Sequence, residues 1–120
     1  MKHVFPLLLF LLPLAVAAQS DYYSRQAESF FRDADRYGRQ ADSYERDAAS
    51  YQRQSESYLR EAESYRRREN KHAARNAYSR AEDYVSRAAD ATRRAIDARD
   101  RQRDALRNAK DALGRARNAS

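Results

Sequence analysis

The side chains best suited to chemistry in this 120-residue chain are its nine tyrosines and its arginines. Seven aromatics recur every seven residues: Tyr23, Phe30, Tyr37, Tyr44, Tyr51, Tyr58 and Tyr65. A regular phenol row suits oxidative cross-linking, for which Tyr22, Tyr23 and Tyr78 are expected to be the most accessible. Packing of each ring against alanine is the simpler role of the same row. Arg66, Arg67, Arg68 and Lys71 form the densest basic cluster, within a chain of net charge +6. Such a cluster suits polyanions, acidic glycans among them. Its plainer role is a solvated turn that follows a helix C-terminus.

Other chemistries find no residues. Beyond position 18 the only histidine is His72, and there is no cysteine anywhere. Gly38 and Gly114 stand alone, so no glycine-rich phosphate loop forms. No set of side chains has metal-ligand spacing. Ser29, Ser43, Ser50, Ser57 and Ser64 fall on an outer row with no base arranged behind them. The chain is therefore expected not to be an enzyme and to use no cofactor or metal.

The elements that carry these residues follow from the repeat. Ala27, Ala34, Ala41, Ala48, Ser55 and Ala62 also recur every seven residues, three or four from each aromatic. This 3-4 spacing is a coiled-coil seam with small residues at position a and aromatics at position d. A second seam has the same rhythm: Ala74, Ala77, Ala81, Tyr84, Ala88, Ala91, Ala95, Ala98, Gln102, Ala105, Ala109, Ala112, Ala116 and Ala119. Tyr78, Val85, Leu106 and Leu113 widen it on one flank. Acids stand four residues before a base on the outer faces, as in Asp35 with Arg39, Asp42 with Arg46, Glu63 with Arg67 and Asp90 with Arg94. That is the favourable helical order, worth about 0.2–0.5 kcal/mol per pair. Alanine adds the highest helix propensity. Residues 19–120 hold only seven large aliphatic or Phe residues, too few for an ordinary globular core. That poverty alone would suit disorder; the agreement of period, propensity and charge order overrides it.

The two seams are out of phase by five residues, which is neither of the usual coiled-coil slips. Glu69-Asn70-Lys71-His72 contributes no seam residue. An all-α fold is predicted: a long antiparallel helical hairpin of the alanine-rich coiled-coil kind. Arm one covers about 21–68, the turn about 69–72 and arm two about 73–119. The alternative is a single unbroken coiled-coil helix. In the hairpin, core positions whose numbers sum to 139 come opposite each other. Tyr65 then faces Ala74, Tyr58 faces Ala81, Tyr51 faces Ala88 and Tyr44 faces Ala95. Phe30 faces Ala109, Tyr23 faces Ala116, and Tyr84 faces Ser55.

Residues 1–18 have the form of a secretory signal peptide: Lys2 and His3, then an uncharged apolar run, then small residues at Ala15 to Ala18. The run is shorter than the roughly 20 residues of a membrane span, so no transmembrane anchor is expected after cleavage. A sequon at Asn118 is expected to be only weakly glycosylated.

In kind, the pattern of small residues in a heptad seam resembles the alanine-rich coiled coils of exported materials, such as coiled-coil silks and bacterial outer-membrane lipoproteins. The absence of cysteine argues against the lipoprotein branch. The resemblance implies a secreted structural protein of an extracellular matrix, fibre or mineral-associated layer. Its partners would be further copies or similar coiled coils, assembled through the alanine and tyrosine seams. The alternative is a secreted or periplasmic binding module whose Arg-rich surface takes acidic glycans or mineral-associated polyanions. Nucleic acid is not an expected partner, given export and the interleaved acids.

Overall fold

The computed structural model describes the backbone of residues 4–119 and the side chains of residues 18–119. The expected signal peptide, 1–18, lies outside the described side chains except for Ala18. The fold is an antiparallel helical hairpin of two helices, with no strand among the described residues. Helix α1 runs Val4–Arg67 and helix α2 runs Lys71–Ala119. The alternative of one unbroken helix is thereby excluded. Among the described residues, no helix is long and apolar enough to cross a membrane.

The chain divides into two units, Gly38–Arg99 and the pair of segments Met1–Tyr37 with Asp100–Ser120. In the first, the end of α1 and the start of α2 bury Ala41, Ser55, Ala62, Ala74, Ala77, Ala81, Ala91, Ala95 and Ala98. In the second, Ala27 and Ala34 of α1 and Ala105, Ala109, Ala112 and Ala116 of α2 are buried. In both units the buried interior is made of small side chains, and the seam aromatics are only half-buried. Small residues let two helices approach closely, and each ring then lies along the edge of the seam rather than inside it.

The connection contains no glycine, yet it closes as a full helix-terminating motif. Asn70 N–H donates to the Tyr65 carbonyl at 3.0 Å, and Glu69 N–H donates to the Arg66 carbonyl at 3.0 Å. This is the Schellman pattern, which needs a left-handed residue just past the helix. Glu69 takes that conformation, with φ of 65°. Asn70 then starts the next helix. Its side-chain oxygen accepts the Ala73 N–H at 3.2 Å, and its carbonyl accepts the Ala74 N–H at 3.0 Å. One residue thus closes α1 and caps α2. Lys71 and His72, placed in the turn by the seam pattern, belong to the first turn of α2 instead. The reason is local: Asn is a strong N-cap, and helix propagates immediately after one. Asn70→Ala is expected to cost about 1 kcal/mol, read as a lower urea midpoint with an unchanged slope.

Gly114 lies inside α2, and a Cβ placed there would meet nothing within 4 Å. No positive φ requires it. Gly114→Ala is therefore expected to stabilise the helix by about 0.5–1 kcal/mol, visible as a higher melting temperature.

Candidate functional site

The chemistry-bearing side chains gather along the unit Gly38–Arg99, and the hairpin brings together residues remote in sequence. Tyr84 is the only aromatic at a seam position of α2. It lies between two rings of α1: its centroid is 5.6 Å from that of Tyr58 and 6.1 Å from that of Tyr51. The Tyr58–Tyr84 pair is stacked, with 11° between planes, and the Tyr51–Tyr84 pair is tilted at 32°. Ser55 lies between Tyr51 and Tyr58 in sequence and is only 3% exposed. A third large side chain there would collide with Tyr84, so the small residue makes room for the aromatic. The contacts agree with a register in which Tyr84 comes opposite Ser55.

Arginines cover the rings. The Arg80 guanidinium lies 5.8 Å from the Tyr58 centroid, and that of Arg87 lies 4.9 Å from Tyr84. Arg68 stands in the same way over Tyr65 at 5.4 Å, and Arg36 over Tyr37 at 5.2 Å. Each such contact is worth about 0.5–1 kcal/mol where solvent reaches it. The arginine stem also covers ring carbon that would otherwise face water.

Two polar clusters tie the helices together on the same unit. The Tyr78 hydroxyl donates to Glu63 Oε1 at 2.7 Å, and Arg66 donates to Glu63 Oε2 at 2.8 Å. The Tyr78 hydrogen bond, with Arg66 as second cause, holds the Glu63 carboxyl below its ordinary range. The same bond raises the Tyr78 phenol. The signs follow from linkage. Glu63 stabilises the fold above its unfolded-state value and loses this as pH falls through its lowered one. Tyr78 contributes below the ordinary phenol value of about 10 and loses this as pH rises through its raised one. The tie is therefore complete across the neutral range. Tyr78→Phe is expected to flatten the dependence of the urea midpoint on pH at both ends.

In the second cluster, Arg99 donates to Glu45 Oε2 at 3.2 Å and also to Asp42. Two carboxylates facing one guanidinium raise the Arg99 pKa further, Glu45 being the larger cause. The spacing of Asp42 predicts Arg46 as its partner on the same helix; in the folded chain it reaches across to Arg99 of α2 instead. Other acids choose partners three residues on rather than four. Glu63 pairs with Arg66 and Asp90 with Arg93, in place of Arg67 and Arg94. Both spacings put the side chains on neighbouring helix positions, and the long arginine stem reaches either. At these exposures such pairs within one helix contribute little.

Between the clusters lies a shallow groove of about 350 Å³, lined by Ser55, Leu59, Tyr78, Ala81, Glu82, Val85 and Ser86. Leu59 is 42% exposed and Val85 55%. In the other unit Phe31, Leu106 and Leu113 are also exposed. Among the described residues, no group of three His, Asp or Glu side chains is arranged to hold a metal ion.

The basic residues of the connection, Arg66, Arg67, Arg68 and Lys71, are all exposed. Arg66 is held by Glu63, and Arg68 donates to Ser64 Oγ at 2.7 Å. Asn118 is exposed on α2, and Ser120 of its sequon lies outside the described residues. The seam residues Tyr23, Phe30, Tyr37, Tyr44, Tyr51, Tyr58 and Tyr65 are half-buried, as is Ala88. Ala74, Ala81, Ala95, Ala109 and Ala116 are buried within the chain itself. The tyrosine stack and the Arg99 cluster escaped sequence reasoning. Their signals were present: a lone aromatic in an alanine seam, and a lone arginine in the seven-residue row Tyr78, Val85, Leu106 and Leu113.

No family model, curated protein or solved structure matches the chain.

Proposed function

We propose that this chain is a secreted structural coiled-coil protein that self-associates in an extracellular matrix, fibre or mineral-associated layer. One observation carries the reading. Of the seven large aliphatic or Phe residues after position 18, only Phe30 is spent on the seam; Phe31, Leu59, Val85, Ile96, Leu106 and Leu113 are each at least 42% exposed. A chain that closes its own interior with alanine and turns its larger apolar side chains outward is suited to lateral packing. The seam named in the sequence as the means of assembly is consumed within the hairpin, so the outward residues take over that role here. The apolar leader supports export.

The test is small-angle scattering with sedimentation on residues 19–120 over a concentration series. Growth of the particle with concentration, lost in a Leu59→Lys/Val85→Lys variant that keeps its helicity, is expected. A particle that stays monomeric at all concentrations would refute it.

The second reading is a secreted or periplasmic binder of acidic glycans or other polyanions. It draws on the exposure of Arg66, Arg67, Arg68 and Lys71 around one connection. Retention on heparin that falls with salt, and falls further when these four are replaced by Gln, would favour it.

A further inference from the structure

A hairpin without cysteine lacks the covalent staple that small exported domains use. The tyrosines offer another. Tyr58 on α1 and Tyr84 on α2 are 26 residues apart in sequence, yet their rings stack at 5.6 Å with 11° between planes. Both residues are half-buried, so solvent reaches part of each while their backbones are held by two packed helices. Arg80 lies over Tyr58 and Arg87 over Tyr84, which restrains both rings in this arrangement. Neither ring is diverted into a buried polar network, and Phe in their place would pack as well. The hydroxyl, which packing does not need, is what phenol oxidation needs.

We infer that Tyr58 and Tyr84 form a dityrosine cross-link that staples α1 to α2 within one chain. The oxidant is a one-electron phenol oxidant of the haem-peroxidase class working with hydrogen peroxide. Each phenol loses one electron and its hydroxyl proton, giving two phenoxyl radicals. The radicals couple through their ortho carbons, forming one C–C bond. Each ortho C–H proton then returns to a phenolic oxygen as the ring regains aromaticity. In sum, two tyrosines and one peroxide give one dityrosine and two waters. Because the rings already lie nearly parallel with centroids 5.6 Å apart, the coupling needs only a local shift that brings two ortho carbons together.

The competing pairs are less suited. Tyr51 and Tyr84 are further apart, at 6.1 Å, and tilted. Tyr22 and Tyr23 meet edge to face as neighbours on one helix, where a bond would tie nothing together.

The experiment oxidises the full chain with a haem peroxidase and hydrogen peroxide, diluted until sedimentation shows monomer. The monomer is expected to become two hydrogens lighter and to gain blue dityrosine fluorescence. Trypsin should then release one linked pair, residues 54–60 joined to residues 81–87, each with a single tyrosine. Tyr58→Phe and Tyr84→Phe keep the rings and should each abolish that linked pair, as should oxidation in denaturing urea. Dityrosine found only in covalent dimers, a monomeric link mapping to any other pair, or a link that survives either Phe variant would overturn the inference. The peptide map of the unmutated chain decides even where a variant fails to fold. The readout is taken on monomer, so failure of self-association leaves it unaffected.

Discussion

Replacing Tyr84 by Ala is expected to destabilise the hairpin by about 2–3 kcal/mol, the largest loss from truncating any single side chain. The ring contacts Tyr58 and Tyr51 on the facing helix and carries the Arg87 guanidinium 4.9 Å from its centroid. Truncation removes all three contacts at once. It also leaves a gap beside Ser55, which is small and cannot fill it. A fully buried aromatic truncated to Ala costs about 3–5 kcal/mol, and the half-exposed ring of Tyr84 brings the figure down. Tyr84→Phe retains the stack and should cost less than about 0.5 kcal/mol, because no hydrogen bond of its hydroxyl holds the fold. Urea unfolding of the two variants side by side separates ring from hydroxyl. A loss in Tyr84→Ala no greater than in Tyr84→Phe would show that the stack contributes nothing to stability.

Enlarging the seam is expected to be as damaging as emptying its edge. Ala62 is 0% exposed, and in the register set by the tyrosine contacts it comes opposite Ala77, itself 5% exposed. Two methyl groups facing each other set a close helix–helix distance. Ala62→Leu inserts three further carbons where no space exists, and the helices must part or the side chain must leave its rotamer. Overpacking of this kind typically costs about 1–3 kcal/mol, and the complete burial of Ala62 places this site at the upper end. Leucine has nearly the helix propensity of alanine, so the loss reports packing rather than helix formation. The control is Ser86→Leu, on an exposed position of α2, which should change stability by no more than about 0.5 kcal/mol. Equal melting temperatures for the two variants would mean that the alanine seam is not closely packed.

Much of this molecule could be read from residue order. The helices follow from a seven-residue period, high alanine content and charges spaced along the outer faces, all of which act over a few residues. The hairpin is favoured by the phase break between Ala62-Tyr65 and Ala74-Ala77, which puts the two stripes on different sides; the same break also suits one straight helix with two faces for two partners, and only the folded chain excludes that. The register was legible too, because the single small polar residue of the first seam, Ser55, and the single aromatic of the second, Tyr84, have complementary sizes. The connection was located only approximately. Which residue accepts the left-handed conformation is a contest between Glu69 and its neighbours, settled when Asn70 both closes α1 and caps α2.

Partner choice among the charged and aromatic side chains was a different matter. Along one helix Asp42 has Arg46 within reach, and nothing in the spacing favours another base. Once α2 packs alongside, Arg99 comes within reach of both Asp42 and Glu45, and two carboxylates outcompete one. In the same way, heptad spacing places Tyr51 and Tyr58 two turns apart on α1, too far to share a contact; the ring of Tyr84 bridges them only because the facing helix delivers it between them. Local order is enough to build helices and mark their sticky stripes, since those depend on interactions three and four residues apart. The stack, the Glu63–Tyr78 tie and the outward placement of Leu59 and Val85 arise from the closeness of two alanine-lined backbones, a distance that exists only after the chain has folded back on itself.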